Sequence, residues 1–249
     1  MFKLAVFVTL VAGCFAFPDP RIVNGTDAKE GEIPYIISLR YGSSHSCGGS
    51  ILDATHVLTA SHCVEGRTGN PGAFKIQYGV LKINSNENVI GVKSIAMHPE
   101  YNPYNNYAND VAVLTLDGEI EFGDNVRPTI LPEPFSATPG DKTAVLAGWG
   151  YPYTGGNVMQ NLQRVDIICY TDENCEVAHK GSTDRQVHVC AGIPEGGKGQ
   201  CSGDSGGPLT VDGVQVGVVS WSVKPCTVKG YPGVFARVAN YVDWIKEQL

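Results

Sequence analysis

Charged residues are scarce in this sequence, and neither sign of charge is concentrated in one segment. Lysine, arginine, aspartate and glutamate make up 17% of the chain, against about 25% in an average domain. The formal net charge of −7 argues against a surface that binds nucleic acid. No acidic or basic run is long enough to form a charged interaction tail.

Long apolar segments are also lacking, apart from one run at the N-terminus. Lys3 precedes the apolar run 4–11, and small residues continue to Ala16. That order is typical of a secretory signal peptide, and the run is shorter than the ~20 residues that a membrane-spanning helix needs. We therefore predict a signal peptide over residues 1–16, a secreted extracellular protein and no membrane partner.

The C-x-x-C spacing of structural zinc sites is absent, so the cysteines predict disulfides and no metal site. The chain has eight of them: Cys14, Cys47, Cys63, Cys169, Cys175, Cys190, Cys201 and Cys226. Because Cys14 lies in the predicted signal peptide, seven of the eight remain in an oxidising compartment. One cysteine is therefore unpaired or bonded outside the chain. No cofactor is predicted.

Glycine, in contrast, is abundant, at 30 of 249 residues. Short apolar or alternating runs recur between turn residues, and about a dozen of them have the spacing of strands in a barrel or sandwich. The dipeptide Asp212-Gly213 separates two such runs and predicts a two-residue hairpin. The composition and the runs together predict an all-β fold.

Two helices are expected within this β pattern. Residues 173–179 follow Thr171, whose side chain is suited to capping, and predict a short helix. Near the C-terminus, apolar residues recur at helical spacing: Val238, Val242, Ile245 and Leu249. They predict a final helix that packs against the core. No internal repeat is evident, and no linker separates independent domains.

Segment 203–208, with glycines on both sides of Ser205, is the most informative part of the sequence. The pattern G-x-S-x-G also matches the nucleophile turn of α/β-hydrolases, which requires a following helix and a downstream histidine. Here strand-like residues follow Pro208, and all six histidines precede Ser205. The sequence therefore disfavours a lipase or esterase, and a base for Ser205 has to come from upstream.

His62 and Asp110 are the candidate partners of Ser205. His62 directly precedes Cys63, and a bond from Cys63 to Cys47 would hold the imidazole on a rigid corner. Asp110 begins an apolar run that is typical of a buried strand, where a carboxylate needs a partner. Taken singly, Asp110 and Ser205 could equally be turn residues. Only their combination with His62 points to catalysis.

Segments 59–63, 109–114 and 203–208 resemble the three signature segments of the chymotrypsin-type serine proteases and occur in that family's order. The resemblance covers essentially all of the chain from residue 22 onward. It implies two six-stranded antiparallel β-barrels with a C-terminal α-helix, in one protease domain over 22–249. The boundary between the barrels is expected near residue 130.

The resemblance also implies the chemistry. A secreted serine endopeptidase would hydrolyse peptide bonds through an acyl-enzyme, with Ser205 as nucleophile, His62 as general base and Asp110 as orienting acid. The N–H groups of Gly203 and Ser205 would form the oxyanion hole. The partners are then protein or peptide substrates and protein inhibitors, and the protein is expected to be a monomer. Its expected role is digestive, with a venom or host-defence role as the alternative.

The same resemblance predicts a zymogen. Residues 17–21 would be a propeptide removed by a trypsin-like protease that cuts after Arg21. The new α-ammonium of Ile22 would pair with Asp204 and shape the loop that contains Ser205.

Three disulfides are implied by the resemblance: Cys47–Cys63, Cys175–Cys190 and Cys201–Cys226. Cys169 then has no partner. It is either a buried thiol or a site of bonding to another chain.

The resemblance assigns substrate contacts to Gly199, Gln200, Ser220, Trp221, Ser222 and Gly233. Gly199 at the base of the specificity pocket carries no charge, so cleavage after lysine or arginine is disfavoured. We predict a chymotrypsin-like preference for large apolar residues, with an elastase-like preference for small ones as the alternative. Gln200 replaces a usually small residue and would fill the base or bind a polar side chain. A catalytically silent binding homologue is a further alternative, although no triad residue is missing.

Overall fold

The computed structural model describes residues 22–83 and 85–249. The predicted signal peptide, the propeptide and Arg21 lie outside the described residues. In chain order the strands are β1 (Thr26–Asp27), β2 (Ile36–Tyr41), β3 (Ser44–Ile51), β4 (His56–Thr59), β5 (Phe74–Tyr78), β6 (Val89–Met97), β7 (Ala112–Leu116), β8 (Thr143–Gly148), β9 (Gln163–Cys169), β10 (His188–Gly192), β11 (Pro208–Val211), β12 (Val214–Trp221) and β13 (Gly233–Arg237). The α-helices are α1 (Asp172–Ala178) and α2 (Val242–Lys246).

Strands β2 to β7 close into the first barrel, in the order β2-β3-β4-β7-β6-β5. The inward positions follow the period of two that a strand imposes. In β5, for example, Phe74, Ile76 and Tyr78 are buried in the barrel core, whereas Lys75 between them is exposed. The strand ends at Tyr78 because Gly79 turns the chain with a φ of 62°, a backbone region that favours glycine.

Strands β8 to β13 form the second barrel. The sheet order is β9-β10-β13-β12-β11-β8, a pairing of β8 with β9 closes it, and β1 adds to the outer edge of β9. The predicted hairpin is present between β11 and β12, where Asp212 and Gly213 have φ values of 50° and 82°. Such values are those of the turn that matches strand twist. The prediction of two six-stranded antiparallel barrels is confirmed.

Both predicted helices are present, and the second is shorter than its apolar spacing suggested. Thr171 Oγ1 accepts a hydrogen bond from the backbone N–H of Asn174 at 3.2 Å and caps α1. At the C-terminus a 3-10 turn over Val238–Asn240 leads into α2. Val238, Val242 and Ile245 are buried, but Leu249 is 52% exposed. Leu249 follows the end of α2, so its place in the predicted stripe was wrong.

The three disulfides are the pairs that the resemblance implied: Cys47–Cys63, Cys175–Cys190 and Cys201–Cys226. Cys169 at the end of β9 is a buried free thiol, which agrees with the first of its two alternatives. Burial raises the pKa of this thiol to about 12. Within the described ranges, no helix has the length and apolar character needed to cross a bilayer.

Candidate active site

His62 stands on a 3-10 turn, Ser61–Cys63, directly after β4. The Cys47–Cys63 disulfide ties this turn to β3. The buried hydroxyl of Ser61 donates to the carbonyl of Val111 at 2.7 Å. Side chains on both sides of His62 are therefore fixed to neighbouring strands, which limits the movement of the imidazole between them.

Asp110 lies immediately before β7, and its carboxylate is completely buried. Oδ1 accepts the backbone N–H of His62 at 2.9 Å, and Oδ2 contacts His62 Nδ1 at 2.7 Å. Ser220 donates its hydroxyl to Oδ2 at 2.6 Å. Because a carboxylate can only accept, Nδ1 carries the proton, and the bare Nε2 of the imidazole is left to act as a base.

Ser205 lies on a loop between the two barrels. Its carbonyl accepts the N–H of Gly48 in β3 at 2.7 Å, and the next residue, Gly206, donates to the carbonyl of Val219 in β12 at 2.8 Å. Gly206 has a φ of 80°, and a Cβ there would press against the Gly48 carbonyl. Only glycine suits this position.

Ser205 and His62 line one cleft of about 420 Å³, whose walls come from both barrels. Among the described residues, the Ser205 hydroxyl makes no hydrogen bond. The structure thus joins two of the three predicted residues directly and places the third in the same cleft. A nucleophile and base often approach hydrogen-bonding distance only when substrate is bound.

Two backbone N–H groups of the Ser205 loop have no hydrogen-bond acceptor among the described residues. The N–H groups of Asp204, Gly206 and Gly207 all donate to backbone carbonyls. Those of Gly203 and Ser205 have no acceptor in the part of the chain that the structure describes. Their positions flank the serine, as a pair of donors for a developing oxyanion requires.

Two residues that the sequence analysis did not single out also belong to this site. His45 bridges Ser38 Oγ at 2.7 Å and the carbonyl of Gly203 at 2.9 Å. Burial lowers the pKa of His45, so the neutral imidazole donates to Gly203 and accepts from Ser38. Tyr107 lines the cleft, with its ring edge-on to the His62 imidazole at 5.8 Å between centroids. The local sequence around His45 and Tyr107 carries no signal for either role.

Ile22 and Asp204 are both completely buried. Ile22 packs in the core of the second barrel, and its neighbour Val23 bridges Gly199. The Asp204 carboxylate accepts the N–H groups of Gly150 and Cys201, at 2.8 and 2.9 Å. Burial nevertheless raises the pKa of Asp204 to about 7, because these two bonds do not replace a counter-charge.

One side chain, that of Gln200, occupies the deep end of the predicted specificity pocket, beside Gly199 and Gly233. Gln200 is 4% exposed and donates its Nε2 to the carbonyl of Trp221 at 2.8 Å, while its Oε1 has no partner. It packs against Gly233, where an added Cβ would lie 2.8 Å from Gln200 Cδ. Gln200 and Ser222 border two cavities: a gap of about 10 Å³ beside Gly199, with no acidic residue in its lining, and the 420 Å³ cleft that contains Ser205, which Ser220 and Trp221 also line.

A metal site is not formed by the one group of suitable donors in the described residues. Ligand atoms of Cys47, His62 and Cys63 lie within 4.8 Å of one another. Both sulfurs are consumed in the Cys47–Cys63 disulfide, and a metal binds thiolates.

The two barrels and the cleft between them are those of the chymotrypsin-type serine proteases. The family model described as Trypsin matches residues 22–245. Trypsin II-P29 of Gallus gallus is 34% identical, over 98% of this chain and 98% of its own. Trypsin-1 of Astacus astacus and Chymotrypsin-2 of Vespa crabro are each 38% identical, over 90% and 92% of this chain and 98% and 100% of theirs. The chain belongs to the trypsin family.

Proposed function

We propose that this member of the family is an active serine endopeptidase in which Ser205, His62 and Asp110 form the catalytic triad. The observation that carries the proposal is the hydrogen bond from His62 to the fully buried Asp110, in a cleft that also holds Ser205. It fixes the imidazole tautomer that can accept a proton from a serine hydroxyl.

In the proposed reaction, Ser205 Oγ attacks the substrate carbonyl carbon while His62 Nε2 takes the hydroxyl proton. The free N–H groups of Gly203 and Ser205 stabilise the negative oxygen of the tetrahedral intermediate. His62 then returns the proton to the leaving amine as the peptide bond breaks. A water molecule, activated by His62 in the same way, hydrolyses the acyl-enzyme.

We further propose activation by a trypsin-like protease that cuts after Arg21. The cut would convert the amide nitrogen of Ile22 into an ammonium group, and Ile22 is already buried in the core. The raised pKa of Asp204 supports this role, because a buried carboxylate with no cation in hydrogen-bonding contact gains most from one. The same proposal includes a signal peptide over residues 1–16, secretion, a monomeric state and a digestive role.

The pocket supports cleavage after uncharged residues. The predicted preference for large apolar residues requires Gln200 to leave the pocket, whereas a small side chain needs only its mouth. We favour the elastase-like alternative because Gln200 closes the deep end beside Gly199, where about 10 Å³ is left, while the part of the cleft lined by Trp221 and Ser222 is open. The edge Ser220–Ser222 would hold the substrate backbone as an added strand.

The test is activity-based labelling of the purified chain before and after treatment with trypsin. A fluorophosphonate probe reacts with a serine that is activated by a neighbouring base. We expect labelling of Ser205 only after cleavage at Arg21, with Arg21→Gln as the uncleavable control and Ser205→Ala as the unreactive one. A correctly cleaved, folded protein that takes up no label would favour the silent binding homologue.

A further inference from the structure

Arg40 and Lys75 are directly opposite each other on the neighbouring antiparallel strands β2 and β5. Residues paired in this way have side chains on the same face of the sheet, and like charges in such positions destabilise it. No described acidic side chain compensates them, since neither cation takes part in an ion pair within residues 22–83 and 85–249. Arg40 and Lys75 therefore have no anionic partner among the described residues, and an anion from outside the chain would stabilise the pair.

The guanidinium of Arg40 is held in place although it has no carboxylate. It is 7% exposed and donates to the carbonyls of Ser43, at 2.5 and 3.1 Å, and Ser85, at 3.3 Å. Lys75 is exposed beside it. Because its nitrogens donate to neutral carbonyls, Arg40 adds net positive charge beneath the surface, while Lys75 is the cation that an anion from solvent can contact directly.

Arg40 and Lys75 border an open groove of about 820 Å³, which has no acidic residue among its lining. The exposed ring of Tyr41 lies at its edge, and Arg67 stacks on that ring with its guanidinium carbon 4.6 Å from the centroid. Three cations therefore surround one groove in a chain whose net charge is −7. We name this site the anion groove.

The anion groove is reached from the catalytic serine along β3. The Gly48 N–H is bonded to the Ser205 carbonyl, and β3 runs from there back to Ser44, next to the groove. That span of strand is roughly 13 Å, or about four residues of extended peptide. The opposite side of the Ser205 loop faces β12, which is the proposed binding edge for residues before the cut bond.

Building on the proposed endopeptidase function, we propose that the anion groove binds acidic side chains of polypeptide substrates, about four residues after the cut bond. Arg40, Lys75 and Arg67 supply the charge, and the neutral pocket at Gln200 selects the residue before the bond. The enzyme would then prefer acidic segments of proteins over neutral ones of the same cut-site sequence.

A binding experiment tests the groove without any need for activity. The Ser205→Ala protein is titrated against fluorescein-labelled hexaglutamate and hexaglutamine peptides, with anisotropy as the readout. We expect the hexaglutamate peptide alone to bind, and its affinity to fall about two- to fivefold in Lys75→Gln and in Arg67→Gln. Lys246→Gln, which removes an exposed charge from α2, should match the parent. Equal affinity in Lys75→Gln and Lys246→Gln, or binding of a heparin chain in place of hexaglutamate, would overturn the proposal.

A cleavage experiment then tests the position. Two internally quenched peptides differ only by Glu or Gln at the fourth residue after the cut bond. The activated enzyme should show a kcat/KM about two- to fivefold higher for the Glu peptide, and Lys75→Gln should abolish that difference. Equal cleavage of both peptides by the parent enzyme overturns the inference. Failure to cleave either peptide refutes the proposed function instead, and the binding experiment still decides on the groove.

Discussion

The side chain of Gln200 offers the sharpest test of how this cleft chooses its substrates. It closes the deep end of the predicted specificity pocket, where about 10 Å³ is left beside Gly199, and it is anchored by one hydrogen bond to the Trp221 carbonyl. Replacement by serine removes the amide group and opens that space. The replacement removes an Oε1 that has no partner and loses a single hydrogen bond, to the Trp221 carbonyl, so the fold should survive.

The expected magnitude follows from burial. An aromatic side chain that enters the enlarged pocket is removed from water, which is worth about 1.5 to 3 kcal/mol for full burial. Expressed as kcat/KM, this is roughly a ten- to hundredfold gain for phenylalanine relative to alanine before the cut bond. A lysine peptide should gain little, because no acidic residue borders the pocket.

The assay compares the parent enzyme and Gln200→Ser on peptides that differ only in that residue: alanine, phenylalanine or lysine. The parent should favour alanine, and the variant phenylalanine. Gln160→Ser, the same substitution at an exposed site, serves as the matched control. If the ratio of kcat/KM for the phenylalanine peptide to that for the alanine peptide is unchanged in a variant that still cleaves the alanine peptide, Gln200 does not limit the size of the pocket.

Three further predictions concern the buried polar groups. Asp110→Asn should keep the fold but lower kcat by about 10³- to 10⁴-fold, because an amide can stabilise the wrong imidazole tautomer; steady-state kinetics and circular dichroism check both parts, and a loss below tenfold contradicts the assigned role. Cys169 should resist thiol reagents in the native protein and react after denaturation, since burial raises its pKa to about 12; native reactivity would contradict the buried position. In the uncleaved chain the pKa of Asp204 is raised to about 7, so the unfolded state loses its proton first. The free energy of unfolding should fall, by on the order of 4 kcal/mol, as the pH rises from about 4 to 7. Urea denaturation of the parent should show this fall and Asp204→Asn should not.

The three residues of the proposed triad could be predicted from sequence because their segments occur in combination, although Asp110 and Ser205 taken singly could be turn residues. Asp110 begins an apolar run, and the cost of burying a carboxylate correctly predicted that it needs a partner. The Cys63 disulfide correctly indicated a fixed corner for His62. Strand spacing predicted an all-β fold, but the two barrels were implied only by the resemblance, because several strands, such as β10 and β11, are buried on both faces and show no period of two.

Other features could not be predicted because they depend on residues far apart in the chain. His45 acquires its role from the Gly203 carbonyl, 158 positions away. Gln200 closes the deep end of its pocket because Gly233 leaves room for it. The anion groove exists only through the register of β2 against β5, which places Arg40 opposite Lys75. Sequence patterns describe each strand alone and contain no information on such pairings.

The hydrogen bonds on either side of Ser205 link the nucleophile to both halves of the molecule at once. One barrel holds its carbonyl through Gly48, and the other holds the following residue through Val219. Any separation of the two barrels must break one of these bonds. The proposed peptidase activity therefore depends on the contact between the barrels, and we expect heat or denaturant to abolish it no later than the strand content is lost.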